Sequence, residues 1–164
     1  MYQAVAYQRR NNTVHIWDDV KGHVKIKYKP YAYAKNPSGV LTPELAQNEV
    51  TAIAIYDEAG DQKHVWILDK DRKVASTKKG NFETTSCQDE ATLLSKFLLK
   101  YYEIQPTLIT GWNIDFFDIP YLYNRICHVL GESQARTLSP IKDVIWLKHR
   151  NRYRISGVSC LEYE

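Results

Sequence analysis

The run Val50-Thr51-Ala52-Ile53-Ala54-Ile55-Tyr56 is almost continuously apolar, and few arrangements accommodate it. It is far shorter than the ~20 apolar residues of a membrane span. A strand covered on both faces suits it, because neither face of such a strand meets water. Asp57 to Asp61 contains Gly60 and reads as a hairpin loop. The chain then returns through His64-Val65-Trp66-Ile67-Leu68, which predicts an antiparallel pair over 50–68. Such a pair needs a second layer to cover it.

Helices further along supply that layer. Leu93, Leu94, Phe97, Leu98, Tyr101 and Tyr102 mark one face of a helix over about 89–102. Ser86, with Asp89 three residues on, fits an N-terminal capping box for it, and Pro106 ends it. Thr107-Leu108-Ile109-Thr110 reads as a short buried strand, expected in the same sheet as 50–68. A second helix over about 118–130 carries the stripe Ile119, Leu122, Tyr123, Ile126 and Val129, and Gly131 stops it. A shorter helix is expected over 133–138. Residues 69–81 are polar and lysine-rich, a surface excursion. Residues 144–156 read as a hairpin with the basic tip Lys148-His149-Arg150-Asn151-Arg152. Hairpin, helix, strand, helix is a mixed α/β order rather than a regular parallel repeat.

Residues 1–40 differ in character and read as a small antiparallel β segment, which divides the chain at about residue 40. Tyr2–Tyr7, Thr13–Trp17 and the alternating run around Val24, Ile26 and Tyr28 are its strands, with Lys25, Lys27 and Lys29 on the opposite face of the last. That basic face can be a solvated edge that resists sheet-to-sheet pairing.

Composition excludes little but sets bounds. The 164 residues suit one domain with a real core plus a small appendage. A net charge of +3 is too small to indicate nucleic-acid binding by itself. Twelve tyrosines and four tryptophans serve cores, interfaces and base stacking equally well. Cys87, Cys127 and Cys160 are far apart, odd in number and lack zinc spacing, so they read as reduced thiols. Met1-Tyr2-Gln3 opens nothing like a signal peptide, and the expectation is a cytoplasmic protein with no membrane contact.

The chemistry is concentrated in Leu108-Ile109-Thr110-Gly111-Trp112-Asn113-Ile114-Asp115-Phe116-Phe117-Asp118-Ile119-Pro120-Tyr121. A buried strand ends in Gly-Trp-Asn, a short turn carries two aspartates, and a helix begins. A carboxylate at that junction can face a cleft, and the helix N-terminus favours its charge. Such a group can help to hold Mg²⁺, a hard cation that takes oxygen ligands and bridges to phosphates. An aspartate beside a helix start is more often simply a cap.

The whole string resembles the second exonuclease motif of family-B DNA polymerases, with Asn113, Phe117 and Asp118 at the motif positions. Gly111-Trp112, Ile119-Pro120-Tyr121, Tyr123-Asn124-Arg125, Gly131-Glu132-Ser133, Leu138-Ser139-Pro140 and Gly157-Val158-Ser159 look specifically like the polymerases of T-even-type phages. The resemblance covers about residues 49–163 well and 1–36 loosely. It implies a ribonuclease-H-like mixed sheet and removal of mispaired primer ends in the 3′→5′ direction. It further implies two divalent ions, expected to be Mg²⁺, held by four carboxylates. By correspondence Asp118 is catalytic and one of the metal ligands, and Phe117 lines the single-strand cleft, with Asn113 beside it. Asp115 is not a motif position and reads as a turn or capping residue. The hairpin at 144–156 is implied to help separate primer from template. Lys148, Arg150, Arg152 and Arg154 are its candidate DNA contacts, with Lys142 nearby. Primer-template DNA, a sliding clamp and replication proteins are the implied partners.

Two parts of the family pattern are missing. The first motif, Asp-Ile-Glu, should precede Val50, but Val40-Leu41-Thr42-Pro43-Glu44 stands there, and neither Glu44 nor Glu49 has the required spacing. A third motif, a Tyr with a later Asp, should lie beyond residue 164. The expectation is a partial exonuclease domain over 41–164 that is inactive alone, with several dozen residues missing at Val40–Leu41. A non-catalytic DNA-binding module with the same fold is the alternative, and an unrelated ribonuclease-H-like nuclease a third possibility.

Overall fold

The computed structural model describes residues 5–10, 13–18, 22–27 and 43–163. The expected junction at Val40–Leu41 lies outside them. The chain divides into two compact units, residues 1–40 and 41–164. In the first, β1 (Val5–Arg10), β2 (Thr13–Asp18) and β3 (Gly22–Lys27) form an antiparallel sheet in the order β1-β2-β3. Its register pairs His15 with Lys25 and Trp17 with His23.

In the second unit, β4 (Ala52–Asp57) and β5 (Gln62–Leu68) form the expected antiparallel pair, with Ile53 opposite Trp66. The lysine-rich stretch is not merely a surface excursion. It contains β6 (Thr77–Lys79) and leads into β7 (Phe82–Cys87), which runs parallel to β5. The sheet is therefore mixed, in the order β4-β5-β7-β6.

Helix α1 (Glu90–Ile104) follows, and its cap lies three residues later than the sequence suggests. Asp89, not Ser86, is the N-cap, accepting from the Thr92 N–H at 2.7 Å, while Ser86 belongs to β7. Such a cap is worth ~1 kcal/mol. Leu93, Leu94, Phe97 and Leu98 are buried, as their spacing requires, and Phe97 meets the Trp66 ring edge-on at 5.7 Å. Tyr102 is 65% exposed and does not share that face.

Strand β8 (Leu108–Trp112) departs from expectation: it does not join the sheet of β4 and β5. It pairs in parallel with β11 (Ser159–Tyr163), placing Glu162 beside Gly111. Consequently, among the described residues β4 and β8 are each hydrogen-bonded on one side only. Nor is β4 covered on both faces. Ile53 and Ile55 pack toward the core, while Ala52, Ala54 and Tyr56 are exposed. An apolar strand lying open at a sheet edge is an unusual state for such a sequence, and the described residues provide nothing that caps it.

After β8 come a π-helical turn (Ile114–Asp118), α2 (Ile119–Leu130), the short α3 (Glu132–Ala135) and a 3₁₀ turn (Arg136–Leu138). Gly131, at φ 92°, ends α2 where the sequence places the stop. The hairpin consists of β9 (Val144–Leu147) and β10 (Arg152–Ile155). Gly157 allows the chain to leave it, because a Cβ there would lie 2.6 Å from Pro140 Cγ. One apolar cluster joins Trp66, α1, α2 and the hairpin base, including Val144 and Ile155.

Candidate functional site

The strand-turn-helix segment is arranged as its sequence suggests, with one refinement. Asn113 turns the chain in the left-handed region at φ 56°, which asparagine tolerates better than most residues. The next five residues wind as a π turn, a form common at functional sites. Ile114 and Asp115 point inward, and Phe116 is 50% exposed. Phe117 is half-buried, stacked on Tyr121 with ring centroids 5.7 Å apart. The Tyr121 hydroxyl both donates to the Asn48 carbonyl and accepts from its N–H.

Asp118 stands where the π turn becomes α2, but it does not cap the helix. Its backbone is already helical and its side chain makes no capping hydrogen bond. The residue as a whole is exposed. Packing around it pushes its pKa up from the ordinary aspartate value, its own N–H pulls the other way, and the Glu162 charge adds to the rise. Glu162 is a member the sequence reading missed. It lies 44 positions after Asp118 on a short strand, and only the parallel pairing with β8 brings it to the turn. Its carboxylate accepts the Asp115 N–H at 2.6 Å.

Asp115 is more than a turn residue. It is 3% exposed, and its carboxylate is ion-paired with the Arg152 guanidinium from the hairpin. The Cys160 thiol lies against the same carboxylate; burial first, then the Asp115 charge, push that thiol up to about 11. The remaining basic candidates divide into two kinds. Arg154 lies 3.6 Å from Asp143, with both side chains largely in solvent. Lys148 and Arg150 occupy the exposed tip and form no ion pair among the described residues. Tyr153 anchors the hairpin base, donating to Asn124 Oδ1 at 2.8 Å and packing between Tyr123 and Trp146.

A divalent ion needs more ligands than this turn offers. Among the described residues no group of three or more His, Cys, Asp or Glu side chains is placed to hold a metal. Glu49 is occupied with Lys70 at 2.6 Å. The described residues therefore do not fit a two-ion centre, and Asp118 is at most one contributor to one. Among them, too, no helix is long and apolar enough to cross a membrane.

Residues 33–160 match the family described as DNA polymerase family B, exonuclease domain. The DNA-directed DNA polymerase of Escherichia phage RB69 is 29% identical over 175 residues, covering 86% of this chain and 19% of that protein. The corresponding enzyme of Enterobacteria phage T4 is 30% identical over 148 residues, covering 74% of this chain and 16% of its own length. The DNA polymerase delta catalytic subunit of Drosophila melanogaster is 43% identical over a shorter stretch of 44 residues, 26% of this chain and 4% of its own. The chain thus spans less than a fifth of the length of either phage relative.

Proposed function

Since this chain belongs to the family-B DNA polymerase exonuclease domain family, we propose that it is part of a phage-type replicative polymerase and carries one catalytic corner of its 3′→5′ proofreading site. Asp118 is the metal-binding carboxylate of that corner, and Asn113 and Phe117 line the path of the single-stranded 3′ end. One observation carries this reading: Asp118, an exposed residue where the π turn becomes α2, makes no capping hydrogen bond and has a second carboxylate, Glu162, close enough to raise its pKa.

The exonuclease domain of such polymerases uses divalent metal. Bound Mg²⁺ would supply charge stabilisation at the scissile phosphate. Asp118 alone would hold it weakly, because Mg²⁺ gives up its waters reluctantly and needs several oxygen ligands. The isolated 164-residue chain accordingly should not hydrolyse DNA. The 175 residues aligned with the RB69 enzyme exceed the length of this chain, which supports the reading that it lacks a segment present in that relative. DNA primer-template is the proposed substrate, with a sliding clamp and other replication proteins as partners in the cytoplasm of a bacterial host.

The test uses a full-length polymerase containing this region. Asp118→Ala should lower magnesium-dependent digestion of single-stranded DNA by more than ~100-fold, at or beyond the upper end of losses seen for groups around a metal, and leave nucleotide addition nearly intact. Near-wild-type digestion by that variant would remove Asp118 from the site. A second reading, a DNA-binding module without catalysis, draws on Lys148 and Arg150 at the hairpin tip, which form no ion pair among the described residues. Salt-dependent binding with no magnesium-dependent cleavage in the full-length protein would favour it.

A further inference from the structure

The Asp115–Arg152 pair links the hairpin to the turn that carries Asp118, two elements with different proposed tasks. We infer that Arg152 is a positioning residue rather than a phosphate ligand: through Asp115 it sets the geometry of the turn, and so of Asp118. The inference rests on the exonuclease reading given above and deepens it.

Three observations support it. Asp115 is 3% exposed, so its charge has no solvent to turn to, and Arg152 is its ion-pair partner among the described residues. A buried carboxylate deprived of its cation is strongly disfavoured, which makes the contact persistent rather than incidental. The same residue is held a second time, through its backbone N–H on Glu162 Oε1 at 2.6 Å. The turn is therefore pinned from β10 through its side chain and from β11 through its backbone, three residues before Asp118. Finally, Arg152 lies at the first position of β10, opposite Leu147, so its placement follows that of the hairpin as a whole. Arg150, two residues earlier at the tip, has no such tie among the described residues.

A phosphate ligand and a positioning residue fail differently. Loss of a phosphate contact raises KM and lowers the salt slope of DNA binding by about one. Loss of a positioning contact lowers kcat and leaves both alone. Only a positioning role makes Asp115 and Arg152 act as a unit.

The experiment compares Arg152→Gln, Asp115→Asn, the double variant and Arg152→Lys in the full-length polymerase. Single-strand digestion and amide hydrogen exchange are both measured. Each single variant should lose ~10-fold or more in kcat, the scale for groups that support metal ligands, with KM and salt slope unchanged. The double variant should be no worse than the worse single one, and Arg152→Lys should recover part of the loss. Exchange at the amides of 115–118 should quicken in Arg152→Gln while that of α1 stays slow. This readout needs no activity and separates failure of the inference from failure of the exonuclease reading. A raised KM with a reduced salt slope in Arg152→Gln alone, or additive losses with unchanged exchange at 115–118, would overturn the inference.

Discussion

Glu90 is 6% exposed and Asp115 3%, and each carboxylate is held by a single arginine. The settings differ. Arg125 is itself 14% exposed, grips both Glu90 oxygens at 2.6 and 2.7 Å, and donates again to the Ala46 and Gln47 carbonyls. Glu90 in turn accepts the Val50 N–H at 2.7 Å. That network ties the start of α1, the middle of α2 and the approach to β4 into one body. Arg152 is 32% exposed and reaches Asp115 from a hairpin that ends in solvent. The same chemistry fixes a core in one place and couples a surface element to a candidate site in the other. What differs is how far the arginine itself is exposed.

The largest effect should come from the enclosed pair. Arg125→Ala leaves a buried carboxylate and two backbone carbonyls without their donor, and should cost ~3–5 kcal/mol of unfolding free energy. Arg152→Gln should cost less, ~1–2 kcal/mol, because the partly exposed Arg152 head group leaves a space that water can enter. Urea denaturation of both variants measures the difference. Equal losses would break the contrast, showing that the hairpin is as tightly bound as the core.

The pH dependence should sharpen it next. Burial alone would raise the Glu90 carboxyl, but the Arg125 hydrogen bonds and the Val50 N–H together hold it below the ordinary glutamate value. A carboxyl lowered in the folded state contributes stability that is complete above its unfolded pKa, ~4.3. That stability is lost as pH falls through the lowered folded value. Stability measured from pH 6 downward should therefore fall less steeply for an Arg125→Ala, Glu90→Gln double variant than for the wild type. Parallel curves would show that Glu90 contributes nothing to acid sensitivity.

Much of the scaffold was legible because its signals are local. The spacing of Leu93, Phe97 and Ile126 alone places them in the core, and Gly131 marks a helix end without reference to anything distant. Strand β7 was missed because Phe82-Glu83-Thr84-Thr85-Ser86-Cys87 is nearly all polar and borders a lysine-rich stretch. Strand β11 was missed for a related reason, and with it Glu162, since parallel pairing across 51 residues leaves no periodic trace. The apolar run at 50–56 misled in the other direction. It has the composition of a strand covered on both sides, yet it lies at an edge among the described residues. Asp118 stands out as a candidate through its motif, whereas Asp115 looked like a turn residue because its partner is 37 positions away.

The smallest effect separates two arginines that the sequence treats alike. Arg150 and Arg152 both belong to a basic tip, and composition gives no reason to distinguish them. In the structure Arg150 is exposed with no ion pair among the described residues, so its charge is available to a phosphate. Arg152 faces Asp115, which already neutralises it. Each phosphate contact releases condensed counterions and contributes about 0.9 to the dependence of log K on log salt. Arg150→Ala in a full-length polymerase should therefore weaken DNA binding slightly and reduce that slope by about one. It should leave stability within ~0.5 kcal/mol of wild type, as for an ordinary surface substitution. Arg152→Gln should leave the slope unchanged while loosening the turn. Binding titrations from 50 to 200 mM salt decide between them. A slope lowered by Arg152→Gln and not by Arg150→Ala would mean that DNA displaces Asp115 from Arg152, making the pair a resting contact rather than a fixed one.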